Sequence, residues 1–138
     1  MLFGVDAMKP ETTLNHVALE YADKDKADLF FVKILGMQKV KSSTLPEDLS
    51  DAIFGIKSSV EMEVYDNGMM RIEVFITGNS RKSGYEHTCI EVRDRKEFIT
   101  QCEKCGIVPM VIKRGGKELL FVRDFSNNLF EVKEKQLS

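Results

Sequence analysis

Apolar and polar residues alternate over Leu14–Tyr21, with His16, Ala18 and Glu20 on one face and Val17, Leu19 and Tyr21 on the other, which predicts a β-strand. Asp23 is placed to cap a helix, and Ala27, Phe30, Phe31, Ile34 and Leu35 follow at helical spacing. Gly36 ends that helix, since the residue after a helix end commonly needs positive φ. Met37–Lys41 predicts a second strand. Pro46-Glu47-Asp48 then opens another helix, with Leu49, Ala52, Ile53 and Ile56 as its apolar stripe. Val60–Tyr65 and Met69–Thr77 read as strands around the hairpin signal Asp66-Asn67-Gly68. A polar linker, Gly78–Gly84, closes this half.

The second half has the same plan. Tyr85–Val92 predicts a strand, and Asp94 with Glu97 a capping box. Phe98, Ile99, Cys102 and Cys105 form a helical stripe that Gly106 ends. Val108–Lys113, Lys117–Arg123 and Leu129–Lys133 complete the strands. The repetition extends to individual residues. Leu14-Asn15-His16-Val17-Ala18-Leu19-Glu20-Tyr21-Ala22-Asp23 returns as Tyr85-Glu86-His87-Thr88-Cys89-Ile90-Glu91-Val92-Arg93-Asp94. The only 2 histidines of the chain occupy one position of this repeat. Asp66 to Glu73 and Asp124 to Glu131 are both intervals of 7. The order is therefore β-α-β-β-β twice, with an extra helix inserted in the first copy. Each module must cover one sheet face with its helix. The expectation is an α+β fold, two βαβββ modules in tandem forming an open, cup-like eight-stranded mixed sheet with helices outside.

At 138 residues the chain is read as a single domain, with module one over about 13–77, the linker over 78–84 and module two over about 85–134. Residues 1–11 read as a loose N-terminal extension without a long apolar signal region. A net charge of −2 provides no electrostatic reason for nucleic acid or an anionic membrane as partner. No apolar run reaches the roughly 20 residues of a membrane span. Three cysteines suggest reduced thiols, so the expected compartment is the cytoplasm. Cys102-x-x-Cys105 has no matching pair elsewhere and sits on a helical stripe, which makes it core packing.

Equivalent points of the repeat carry His16 and His87 at the first strands and Glu73 and Glu131 at the last. If the modules pair about a pseudo-twofold axis, these four side chains converge, and two imidazoles with two carboxylates suit Zn, Ni, Co, Mn or Fe. For any single residue the ordinary reading is structural: a hydrogen-bonded strand histidine, or a solvated glutamate, with Glu61 and Glu63 as further carboxylates on the neighbouring strand. Glu20 and Glu91 also match across the repeat, as strand-end salt-bridge partners or as carboxylates orienting the imidazoles. Tyr65 and Arg123 match as well, and either is a candidate to line the cavity. Lys113, Arg114 and Lys117 cluster at a hairpin, a solvated tip by default.

The layout resembles the vicinal-oxygen-chelate superfamily, which includes glyoxalase I, methylmalonyl-CoA epimerase, ring-cleaving dioxygenases and fosfomycin- and bleomycin-resistance proteins. The resemblance covers about residues 13–134. It rests on Asn15-His16-Val17, Ile34-Leu35-Gly36-Met37, Ile72-Glu73-Val74, Glu86-His87-Thr88, and Val122-Arg123-Asp124 through Phe130-Glu131-Val132. It implies one divalent transition metal held by His16, Glu73, His87 and Glu131. It also implies isomerase, lyase or epimerase chemistry through a metal-chelated enediolate or enolate of a small carbonyl or thioester substrate, with Glu73 and Glu131 as the bases. A second carboxylate at Glu73 brings the chain nearer to glyoxalase I and the acyl-CoA epimerases than to the three-ligand dioxygenases and thiol transferases. A metal-free, antibiotic-type binding protein of the same fold is the alternative from another class. Dimers are common in the superfamily, so a homodimer is expected. The turn before the last strand departs from the usual Asp-Pro-x-Gly-Asn: here it is Asp124-Phe125-Ser126-Asn127-Asn128, without proline or glycine.

Overall fold

The computed structural model describes residues 10–136. The N-terminal extension, apart from Pro10 and Glu11, lies outside the described residues. The first module runs β1 (Val17–Tyr21), α1 (Lys24–Asp28), β2 (Gln38–Leu45), α2 (Glu47–Phe54), β3 (Val60–Asp66) and β4 (Arg71–Ile76). The second runs β5 (Thr88–Val92), α3 (Arg95–Lys104), β6 (Met110–Arg114), β7 (Lys117–Arg123) and β8 (Leu129–Glu134). The tandem βαβββ plan and the extra helix of the first copy are both present.

Local chemistry explains most boundaries. The Asp23 side chain accepts from the Lys26 amide, and that of Asp94 accepts from the amides of Lys96 and Glu97. Glu97 does not complete the expected capping box; its carboxylate takes the Gln101 side-chain amide at 3.1 Å. Gly36 and Gly55 both adopt φ of 71°, the left-handed turn that ends a helix. One feature departs from the expected regular helix. After α1 the chain winds on as a π-helical segment over Leu29–Ile34, in which the Leu35 amide bonds the Phe30 carbonyl at 3.0 Å.

The strands form two four-stranded sheets, ordered β1-β4-β3-β2 and β5-β8-β7-β6. Within each sheet the first strand pairs parallel with the last, and the other pairings are antiparallel. The expected single eight-stranded cup is therefore corrected: β1 and β5 are edges of separate sheets. Packing between side chains joins the modules instead. Phe31 of the π segment stacks on Tyr65 of β3 at 5.1 Å, and its neighbour Phe30 lies 5.2 Å from Phe130 of β8. One hydrophobic cluster thus takes Tyr21, Phe30, Phe31, Tyr65 and Val74 from the first module and Phe98, Cys102, Val122, Phe130 and Val132 from the second. Burial pushes the Cys102 thiol up to about 12, as suits the packing role expected of it.

The β7–β8 turn adds a polar clasp between the modules. The Ala22 amide donates to Ser126 Oγ at 3.0 Å, the Asn128 side-chain amide to the Glu20 carbonyl at 3.2 Å, and the Asn127 side-chain amide to the Arg81 carbonyl at 2.8 Å. Asn127 takes a φ of 67°, where glycine would be usual. Ser126 and the retained Asn128 bond the first module, and Asn127, which stands where the pattern has glycine, bonds the linker.

Candidate functional site

Strand pleating puts the residues of β1 and β4 on two faces. Ala18 is paired with Glu73, so the His16–Ala18–Glu20 side of β1 and the Glu73–Phe75 side of β4 share the face away from the core. His16 stands just before β1, and its Nε2 lies 3.3 Å from Glu73 Oε1. In the second module Cys89 is paired with Glu131, and His87, just before β5, places Nε2 3.6 Å from Glu131 Oε1. Both glutamates are one-fifth exposed and both histidines a little under two-fifths. The two modules have built the same imidazole–carboxylate pair.

Each imidazole is also held from behind. His16 Nδ1 lies 2.8 Å from Asn15 Oδ1, and His87 Nδ1 lies 2.9 Å from the Tyr85 carbonyl. A carbonyl oxygen only accepts, so each Nδ1 donates to it, and Nε2 is the ring nitrogen turned towards the glutamate. Phe121, edge-on at 6.2 Å, further restricts the His87 ring. Sequence reading named the histidines but not these anchors. The side chain of Asn15 beside His16 was legible; the Tyr85 carbonyl, a main-chain group, leaves no signal in residue type.

The pair geometry suits a metal. Donors about 2.1 Å from a shared ion lie roughly 3.0–3.5 Å from each other, depending on coordination number; the first pair, at 3.3 Å, falls inside that range and the second, at 3.6 Å, just beyond it. The four candidates nevertheless form two pairs and not one cluster. Among the described residues of a single chain, no group of three or more His, Cys, Asp or Glu side chains is placed to hold a metal ion.

The alternative carboxylates lie elsewhere. Glu63 pairs with Val74, so it and Glu61 point to the face opposite Glu73. Glu63 is fully buried, with the ammonium groups of Lys24 at 3.1 Å and Lys39 at 3.7 Å as its charged neighbours. Tyr65 is likewise a core residue and not a cavity residue; its hydroxyl donates to Asp28 Oδ1 at 2.6 Å. Arg123 is turned towards its own turn and donates to the Asn127 carbonyl at 3.1 Å. Lys113 and Lys117 are exposed, and Lys113 is loosely paired with Glu118 at 3.8 Å.

Beside the first pair lies a cavity of about 500 Å³, between the inserted helix α2 and the outward face of β1 and β4. Ala18, Phe54, Phe75, Val60, Ser59 and Arg81 are among its walls. Phe75 is next to Glu73 on the same strand face, and Phe54 of α2 meets it edge-on at 5.6 Å. The second module lacks such a helix, so the wall that Phe54 supplies beside the first pair has no counterpart there.

No family model matches the chain. Human mitochondrial methylmalonyl-CoA epimerase is 30% identical over 129 residues, spanning 88% of this chain and 73% of that protein. Among solved structures, the fosfomycin resistance protein FosX of Listeria monocytogenes, in complex with Mn(II) and a dihydroxypropylphosphonic acid, superposes with a TM-score of 0.71 at 20% identity over 93% of this chain and 95% of that one. A glyoxalase family protein from Bacillus cereus gives 0.71 at 19% identity over 93% and 97%. The structural likenesses speak for the fold, and the epimerase likeness, which runs through both modules, carries it to descent. The chain belongs to the vicinal-oxygen-chelate superfamily.

Proposed function

We propose that the protein is a metal-dependent isomerase, lyase or epimerase that moves a proton on the carbon beside a carbonyl or thioester. The observation that carries this reading is the twofold occurrence of one pair, His16 with Glu73 and His87 with Glu131, at 3.3 and 3.6 Å. One such pair is ordinary surface chemistry. Two at equivalent points, on the faces turned away from the cluster that joins the modules, are not explained by packing. A divalent transition ion held by these residues would act as a Lewis acid on substrate oxygens and make the adjacent C–H more acidic. Asn15 and the Tyr85 carbonyl hold Nδ1 of the two imidazoles, which leaves Nε2 as the nitrogen available to a metal. Glu73 and Glu131, one in each pair, are the carboxylates that would take the proton from the substrate carbon or return it. The epimerase relative and the Mn(II) complex of the FosX neighbour support this reading.

We place the complete site between two copies of the chain. The pairs stay apart within one chain, and on the Glu131 face of the second sheet Met110, Ile112 and Leu119 are 43%, 43% and 37% exposed. An exposed apolar face beside a half-built site fits a symmetric dimer in which module one of each copy meets module two of the other.

The test is metal content by mass spectrometry on protein purified without a histidine tag. About one ion per chain is expected, lost in His16→Ala and weakened in Glu73→Ala. Retention in Glu73→Ala would redirect the assignment to a three-ligand oxygenase or transferase. A wild type that stays metal-free after reconstitution would leave a ligand-binding module and no enzyme of this kind.

A further inference from the structure

The cavity beside His16 and Glu73 has a feature that metal chemistry does not account for. Arg81 sits in the linker between the modules, a stretch without regular secondary structure, yet its main chain is held at both polar groups. Its amide donates to the Ser126 carbonyl at 2.7 Å, and its carbonyl accepts from Asn127 Nδ2 at 2.8 Å. The β7–β8 turn therefore fixes the main chain of a residue that lines the cavity. Its recorded ion-pair partner is Glu86, at 2.6 Å through Nη2. The Glu86 side chain is 83% exposed, and the Arg81 side chain is 34% exposed. An ion pair with one partner so fully in water stabilises little and separates readily. The fork of the guanidinium can instead take a carboxylate in two parallel hydrogen bonds.

The rest of the lining sets the ligand's character. Phe54, Ile56, Val60, Phe75 and Ile76 make an apolar wall, and Ser59 and Ser80 add hydroxyls. Arg81 and Glu20 are its charged residues, and Glu20 is exposed. One cation suits a single negative charge; a polyphosphate would lack counter-charge and meet Glu20. A volume of about 500 Å³ is within the range of small-molecule sites.

We propose that this cavity takes the apolar chain of a small, singly charged organic anion, anchored by the Arg81 guanidinium in place of Glu86. The proposal rests on the reading above in one respect: the cavity shares the sheet face of His16 and Glu73, so the bound chain extends towards them. Glu86 directly precedes His87, and its displacement couples ligand entry to the start of the second half-site.

Binding to metal-depleted, full-length protein tests this without reference to metal. The probes are hexanoate, hexanamide and hexylamine, measured by ligand-observed NMR titration. Hexanoate is expected to bind about tenfold more tightly than hexanamide, a gap that a charge-assisted pair readily supplies. Arg81→Gln should abolish the difference, and Glu86→Gln should tighten hexanoate roughly threefold by removing its competitor. Glu86 is exposed, so that variant remains informative should Arg81→Gln fold poorly. Equal binding of acid and amide, preference for the amine, or a Glu86→Gln protein that binds hexanoate more weakly would each overturn the proposal. A failure of hexanoate to bind would likewise overturn it while leaving the metal result standing, and a metal-free wild type that binds hexanoate would uphold it without the metal reading.

Discussion

Glu63 and Glu73 lie on adjacent strands, and the pleat gives them different fates. Glu63 points into the core against Lys24 and Lys39, whereas Glu73 points out to His16. Residue type is identical; only the β3–β4 register, Val64 opposite Glu73 and Glu63 opposite Val74, separates a structural charge from a candidate base. Near Glu63, Asp28 accepts the Tyr65 hydroxyl at 2.6 Å and the Lys39 ammonium at 2.8 Å. Burial acts against the Asp28 charge, but the hydrogen bonds from Lys39 and Tyr65 outweigh it and hold the carboxyl below its usual range. A carboxyl depressed in the folded state contributes stability that is present above its unfolded pKa and lost as pH falls through the depressed value. Tyr65→Phe is accordingly expected to cost about 1 kcal/mol at neutral pH, a modest figure because Asp28 is partly solvated. That cost should shrink in acid as Asp28 protonates. Urea unfolding of both proteins across the acid range checks this, and a pH-independent difference would reduce the role of Tyr65 to packing.

At the scale of elements, the periodicity of apolar residues located every strand and helix of the described chain. Boundaries shifted by a few residues: β1 begins at Val17 and not Leu14, and β2 runs on to Leu45. The winding of the segment after α1 was not legible. Whether an amide bonds the fourth or fifth carbonyl behind it depends on what the side chains must reach, and here Phe30 and Phe31 must reach both modules. Phe30 is fully buried, with Phe31, Phe130 and Phe125 around it at 5.1, 5.2 and 6.4 Å. Phe30→Ala is expected to destabilise the protein by about 3–5 kcal/mol through lost burial and a cavity that neighbours cannot fill. Equilibrium denaturation measures it; a loss under about 1 kcal/mol would mean that the two modules do not depend on this junction.

For the whole molecule, a dimer that shares its sites predicts complementation. His16→Ala damages one half-site and Glu131→Ala the other, so neither homodimer has an intact site. In a mixed dimer, one of the two sites receives an unaltered first module from one chain and an unaltered second module from the other. Random pairing should therefore restore about a quarter of the wild-type metal content after the two variants are unfolded and refolded together. If the site were built within each chain, mixing would restore none.

The internal repeat, the order of elements and the equivalence of His16 with His87 and Glu73 with Glu131 were determined by the sequence alone, because periodicity and spacing are local properties. The tertiary structure decided what depends on packing at a distance. It set two sheets in place of one, joined by aromatic side chains and by the Ser126–Asn128 clasp. It also turned Glu63 inward, and it left the four candidate ligands as two pairs. Strand order and facing are fixed by which apolar surfaces find each other, and a one-dimensional pattern that suits either a continuous sheet or two sheets around a shared core does not choose between them.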